Sequence, residues 1–119
     1  MLFRSPIPPE VRWGYLVPYD SWAHRIAVLR FVQDIPLRPG DRAYDALHEV
    51  EQNIRRLRGV PLLICWGEKD FVFDEHFLRE WEKNFPEATI HRFPDAGHFV
   101  LEDASEEIIP LVRRRLGLP

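Results

Sequence analysis

Two segments in the second half of the chain each end on a titratable side chain. Residues 60–70 read as an apolar strand and a turn that closes on Asp70, and residues 88–98 read as a second strand and turn that close on His98. A neutral histidine can accept a proton as a general base, and a carboxylate on its other ring nitrogen fixes the tautomer and stabilises the imidazolium. The pattern predicts the base and the acid of a nucleophile–His–acid triad.

The elements around these two residues are expected to bring them together. The run over 60–66 is almost continuously apolar, which is typical of a parallel strand covered on both faces. A helix over about 75–85, capped by Asp74, separates it from the second strand at 88–93. Such a strand–helix–strand unit predicts a right-handed parallel crossover, and the carboxyl ends of parallel strands share one edge of the sheet.

A purely structural interpretation of the same residues stays open. His98 could be a turn histidine satisfied by the backbone, Asp74 only a helix cap and Asp95 only a turn former. Each motif alone is weak evidence. Both motifs, in this order on consecutive strands, favour the triad.

The remaining elements follow from caps, periodicity and prolines. Four prolines predict an extended or irregular segment over residues 6–19. Asp20 or Ser21 can cap the first helix, and Asp103 with Glu106 resembles a capping box that starts the last. Three helices in addition to that at 75–85 are predicted, at about 21–32, 42–58 and 104–116.

Composition excludes several functional classes. The 119 residues include 16 basic and 19 acidic ones, so the net charge of −3 does not indicate nucleic-acid binding. No apolar run approaches the roughly 20 residues of a membrane span. The single cysteine, Cys65, lies in an apolar strand and predicts a buried core thiol rather than a disulfide, which fits a cytoplasmic protein.

Metal and nucleotide sites are not indicated either. The other histidines lack metal-ligand spacing, and the six glycines are scattered rather than gathered in a phosphate-binding loop. We therefore expect no metal and no cofactor. The histidines concerned are His24, His48, His76 and His91.

At these motifs the chain resembles the C-terminal part of an α/β-hydrolase, in the haloalkane-dehalogenase-like branch. Residues 66–74 (WGEKDFVFD) and 95–103 (DAGHFVLED) carry the resemblance. Residues 19–37 resemble the last helix of that branch's helical cap and its return to the core, and FVQDIPL at 31–37 is especially similar to the β-lactone (oxetan-2-one) decarboxylases of olefin biosynthesis.

The resemblance implies a fold class and a domain organisation. The fold is expected to be α/β, made of the last two parallel strands of an α/β-hydrolase with flanking helices. Residues 6–40 are expected to be the end of the cap and the return loop, and residues 41–119 the C-terminal part of the core. Residues 1–5 are expected to be a non-native start, because LFRS is what the end of a common sequencing adapter encodes.

The resemblance also implies chemistry. In this branch a nucleophile on a strand-to-helix elbow forms a covalent ester, which implies that His98 is the base and Asp70 its orienting acid. Part of the branch places its acid after an earlier strand instead. An apolar small molecule is the implied substrate. Aromatic side chains that are candidates to line its pocket, or else to pack in the core, are Trp22, Phe31, Phe71 and Phe73.

The sequence departs from the family in one decisive respect. It contains neither a Gly-x-Asp-x-Gly nor a Gly-x-Ser-x-Gly elbow. We therefore expect a C-terminal fragment whose partner is the missing N-terminal part of the same protein, and which alone folds poorly and lacks turnover. Two alternatives are a non-catalytic α/β-hydrolase-like binding or regulatory protein with a vestigial site, and a truncated subunit that completes another chain's sheet.

Overall fold

A computed structural model describes residues 6–119, which divide into two compact units. One unit comprises residues 8–56, and the other is formed mainly by residues 57–119. The first contains α1 (Pro9–Leu16), α2 (Trp22–Gln33) and α3 (Tyr44–Asn53), with a 3₁₀ turn at Val17–Tyr19; a second 3₁₀ turn, Ile54–Leu57, crosses the boundary. The second contains β1 (Leu63–Gly67), α4 (Glu75–Asn84), β2 (Thr89–Phe93), α5 (Val100–Asp103) and α6 (Ser105–Arg115).

The predicted order of helices and strands from residue 21 onward is confirmed, except that the short helix α5, which was not predicted, precedes the last helix. Two helices begin at the predicted caps: the Ser21 side chain accepts a hydrogen bond from the His24 amide at 3.2 Å, and Asp74 accepts one from the His76 amide at 2.9 Å. These oxygens satisfy amides that have no partner within the helix. The helix predicted over 42–58 is shorter and passes into the 3₁₀ turn.

The prediction of an irregular segment over residues 6–19 is wrong. Pro9 is the first residue of α1, and Pro18 lies in the first turn of the 3₁₀ segment Val17–Tyr19. A first-turn residue needs no amide hydrogen, and the fixed φ of proline suits a helix start. The prolines therefore begin helical segments here instead of preventing them.

The capping box predicted at Asp103 is also wrong, although the helix that follows it is confirmed. Asp103 is the last residue of the short helix α5, and Ala104 occupies the N-cap of α6 without a side-chain hydrogen bond. The Asp103 carboxylate points elsewhere: its Oδ2 accepts a hydrogen bond from the Gly97 amide at 2.7 Å. The Asp103 oxygen that was predicted to cap α6 thus accepts from the Gly97 amide instead.

The sheet consists of β1 and β2 paired in parallel, as predicted. Leu63 lies opposite Thr89 at one end and Gly67 opposite Phe93 at the other. Cys65 packs against a buried cluster made of Phe93, Ala96, Ala104 and Ile108. The packing role predicted for this thiol is therefore confirmed, but the prediction of a buried thiol is not, because Cys65 is only half-buried.

The expectation that β1 is covered on both faces is not met by the described chain. Four of the five β1 residues are only half-buried, and Gly67 alone is buried. Large apolar side chains such as Val60 and Leu101 are also well exposed, at 59% and 64%. Two strands with their own helices cover only part of the apolar surface that a parallel strand carries.

Two remaining expectations are not decided by the fold. The division of the chain at residue 40 into cap and core stays a prediction, and the expectation for residues 1–5 lies outside the described residues. Across residues 6–119, none of the helices combines the length and the apolar character that crossing a membrane requires.

Candidate active site

The turn that follows β1 is hydrogen-bonded to the turn that follows β2. The Glu68 amide donates to the Phe93 carbonyl at 3.0 Å, and the Lys69 amide donates to the Ala96 carbonyl at 2.9 Å. These bonds extend the parallel ladder beyond the last pair of strand residues. Asp70 follows Lys69 directly, so its position relative to the second turn is set by the backbone.

Gly67 makes this close approach of the two turns possible. A Cβ atom built on Gly67 would lie 2.4 Å from the Gly97 carbonyl oxygen and 2.7 Å from the Ala96 carbonyl oxygen. Ordinary non-bonded contacts of a carbon atom are roughly 3.5 Å or longer. The position therefore accepts only glycine unless the backbone of the His98 turn moves.

Asp70 and His98 form a hydrogen-bonded pair at this edge of the sheet. His98 Nδ1 lies 2.9 Å from Asp70 Oδ2 and 3.1 Å from Oδ1. Asp70 Oδ1 also accepts the backbone amides of Val72 and Phe73, at 2.8 and 3.0 Å. The Asp70 side chain is 10% exposed and that of His98 is 28% exposed. The acid is thus fixed from several directions while the imidazole keeps access to solvent.

The environment of Asp70 favours its ionised form. Burial by itself raises the pKa of this carboxyl, but the hydrogen bonds from His98, Phe73 and Val72 outweigh burial and hold the pKa below its ordinary value. An ionised carboxylate only accepts hydrogen bonds, so Nδ1 of His98 must carry the proton between them. In the neutral imidazole, Nε2 is then the nitrogen with a lone pair that can accept a proton.

Aromatic rings surround the imidazole. The Phe73 ring centroid lies 5.6 Å from that of His98, and the Phe99 ring lies 5.5 Å away in an edge-on arrangement. Phe73 also stacks edge-on against Phe77 at 5.2 Å. The structure thus brings one of the four predicted pocket aromatics, Phe73, next to His98.

The other three predicted pocket aromatics are not shown to contact His98. Phe71 lies in the loop after Asp70 and is 63% exposed. Trp22 and Phe31 lie on α2, in the unit of residues 8–56, and are 86% and 80% exposed. Their predicted role as substrate-binding residues stays a prediction.

The neighbouring acids have separate structural partners. Asp74 caps α4, and Asp95 Oδ1 pairs with Lys69 Nζ at 2.6 Å. Arg92, on β2, pairs with Glu82 at 2.6 Å and with Glu68 at 3.6 Å. The carboxylate that lies against His98 Nδ1 is that of Asp70. The predicted cap role of Asp74 is confirmed and Asp95 lies in the turn after β2, but neither role accounts for the Asp70–His98 pair.

The site shows no sign of metal or thiol chemistry in the described part of the chain. Among residues 6–119, no group of three or more His, Cys, Asp and Glu side chains converges as a metal site would require. Burial raises the pKa of the Cys65 thiol, which disfavours the reactive thiolate.

Sequence reasoning missed two residues that shape this site, Gly67 and Asp103. In the sequence, Gly67 belongs to the turn that closes on Asp70, and a glycine that ends a run of large apolar strand residues is a signal of a close backbone approach. Asp103 was interpreted as a helix cap, and its spacing to Gly97 carried no recognisable motif.

Comparison with known proteins agrees with the architecture. Residues 14–105 match the family described as alpha/beta hydrolase fold, and the chain belongs to this family.

The curated relatives divide into two enzyme types. Over 110 residues, 92% of this chain, it is 49% identical to a cis-3-alkyl-4-alkyloxetan-2-one decarboxylase of Shewanella oneidensis, and it is 42% identical over 107 residues to the protein of the same name from Xanthomonas campestris pv. campestris. A haloalkane dehalogenase of Mycobacterium marinum is 30% identical over 104 residues. The chain spans 35%, 36% and 34% of these three relatives, respectively, or about a third of their length.

Proposed function

We propose that this chain supplies the general base and its orienting acid to an α/β-hydrolase enzyme that acts on an apolar small molecule. His98 is the base and Asp70 the acid, and the nucleophile is contributed by a part of the enzyme that this sequence does not contain. A β-lactone decarboxylase is the favoured parent and a dehalogenase the second choice, because the two decarboxylase relatives are more similar to this chain than the dehalogenase is.

The observation that carries the proposal is the hydrogen bond between His98 Nδ1 and Asp70 at 2.9 Å. It orients the imidazole and leaves Nε2 to accept a proton from the reacting group or from water. The imidazolium so formed is then stabilised by a carboxylate whose pKa is held low. The half-exposed aromatic ring of Phe73 gives the approach to His98 an apolar character that suits an alkyl substrate.

A hybrid enzyme tests the proposal. We define it as the Shewanella oneidensis decarboxylase in which the matching segment is replaced by this chain. Its turnover of a cis-3,4-dialkyl oxetan-2-one is followed by carbon dioxide release, and its turnover of a haloalkane by halide release. Carbon dioxide release supports the proposed base and acid, because the nucleophile then comes from the Shewanella part and the base from this chain. Halide release without it supports a dehalogenase parent.

Point variants of the hybrid then assign the residues. We expect H98A and D70N each to lower turnover by about 10²–10⁴-fold, the usual contribution of a general base and its partner. H48A is the matched control, because His48 is exposed on α3 and contacts Glu51 and Tyr44 of the same helix. An H98A hybrid that keeps most of its turnover rules out the proposed base. A folded hybrid without turnover favours the non-catalytic alternative.

A further inference from the structure

The turn that precedes His98 is attached to the rest of the unit through a buried carboxylate. Asp103 is 8% exposed, and its Oδ2 accepts a hydrogen bond from the Gly97 amide at 2.7 Å. Gly97 is the residue immediately before His98. Asp103 therefore holds the residue that directly precedes His98 in the chain.

The buried Asp103 carboxyl group requires a hydrogen-bond partner, because its surroundings are apolar. The other buried side chains of the unit are apolar, and a polar group taken out of water is unfavourable unless it is hydrogen-bonded. Asp103 meets that condition by accepting from a backbone amide, a bond that is short and strong when the acceptor is charged. The buried apolar residues are Leu78, Phe85, Phe93, Ala96, Ala104 and Ile108.

Three restraints act together on this turn. The Lys69 amide holds the Ala96 carbonyl, and the missing side chain of Gly67 lets that carbonyl and the Gly97 carbonyl approach β1. Both of these involve carbonyl groups of the turn and hold it against the C-terminal end of β1. Asp103 instead accepts from an N–H group of the turn, that of Gly97, and so links the turn to α5.

We propose that Asp103 is a positioning residue that sets the direction in which His98 leaves its turn and so keeps the His98–Asp70 hydrogen bond aligned. The inference rests on the proposed function only in that His98 is the proposed base. It concerns geometry, and its test does not depend on turnover. A displacement of about 1 Å at Gly97 is enough to take the 2.9 Å contact of Nδ1 beyond hydrogen-bonding distance.

The test compares two substitutions of Asp103 in the hybrid enzyme, which contains the full chain. D103N keeps an oxygen that can accept from the Gly97 amide, whereas D103L replaces both oxygens with methyl groups of similar size. Hydrogen exchange of the Gly97 amide is the first measurement. The Thr89 amide, which donates to the Leu62 carbonyl at the far end of the sheet, is the control. The second measurement is the proton resonance of His98 Nδ1–H, identified by its loss in H98A.

We expect D103L to accelerate Gly97 exchange by about tenfold or more, the effect of losing one hydrogen bond to a charged group, and to weaken the Nδ1–H resonance while Thr89 stays protected. D103N should leave both close to wild type. A D103L hybrid with an unchanged Nδ1–H resonance overturns the inference, as does a D103N hybrid that loses it.

If D103L does not fold, the wild-type protein and D103N decide. A wild-type Gly97 amide that exchanges as fast as an exposed one contradicts the inference, and a protected Gly97 amide with a retained Nδ1–H resonance in D103N supports it. Failure of the proposed function looks different: Gly97 and Nδ1–H respond to D103L as expected, but H98A does not reduce turnover.

Discussion

Substitution of Gly67 by alanine tests how tightly the two turns of the candidate site are packed. The new Cβ atom would lie 2.4 and 2.7 Å from the Gly97 and Ala96 carbonyl oxygens and 2.9 Å from the Ala96 carbonyl carbon. Reaching ordinary contact requires a movement of roughly 1 Å. The atoms that must move are backbone atoms, and one of them accepts the Lys69 amide at 2.9 Å, so no flexible side chain can absorb the clash.

Overpacking of this kind costs typically about 1–3 kcal/mol. We expect G67A to lie at the upper end of that range, because either the Lys69–Ala96 hydrogen bond or the β1 backbone must be distorted. The same movement shifts the turn that carries His98, so the hydrogen bond to Asp70 should weaken as well. The expected result is a loss of about 3 kcal/mol of unfolding free energy together with a loss of turnover.

Urea unfolding of the hybrid enzyme measures the first effect, and turnover at saturating substrate measures the second. G14A is the control, since a Cβ on Gly14, inside α1, meets nothing within 4 Å and alanine is favoured over glycine in a helix. A G67A hybrid within about 0.5 kcal/mol of wild type, the range of neutral surface changes, refutes the packing argument.

Three further predictions concern stability. The pKa of Asp70 is lower in the folded state than its ordinary value of 3.8, so the ionised carboxylate stabilises the fold above that pH, and this contribution is lost as the pH falls through the folded-state pKa. The difference in unfolding free energy between wild type and D70N should therefore shrink from about pH 6 to pH 3 in urea titrations. A constant difference contradicts this. D74A should cost about 0.5–2 kcal/mol by removing the acceptor for the His76 amide, whereas D74N should be nearly neutral; equal losses in both variants exclude the capping role. The isolated 119-residue chain should show no turnover and a broad thermal transition, so a sharp cooperative melt with activity would disprove the expectation of a dependent fragment.

The sequence by itself determined both strands, the helices from residue 21 onward except α5, and the identity of the paired residues. The continuous apolar run before Gly67, and the short segment of residues 88–93 that follows the helix stop at Pro86, specified two parallel strands, because such patterns and stop signals are local properties of a chain. Asp70 and His98 could be paired in advance because the carboxyl ends of parallel strands share one edge. Ser21 and Asp74 were recognisable as caps because a cap acts on amides two or three residues away.

Only the tertiary structure decided how the pair is held. Asp103 has the spacing of a helix cap, yet its carboxylate accepts from the Gly97 amide, a partner that is available only when α5 packs against the cluster that includes Ala96. Gly67 is required because the turn before His98, distant in sequence, lies so close to the end of β1 that a Cβ atom on Gly67 would overlap the Gly97 and Ala96 carbonyl oxygens. Both effects arise from non-local contacts, and competition between a local and a non-local hydrogen-bond partner is settled by packing, which periodicity and spacing do not encode.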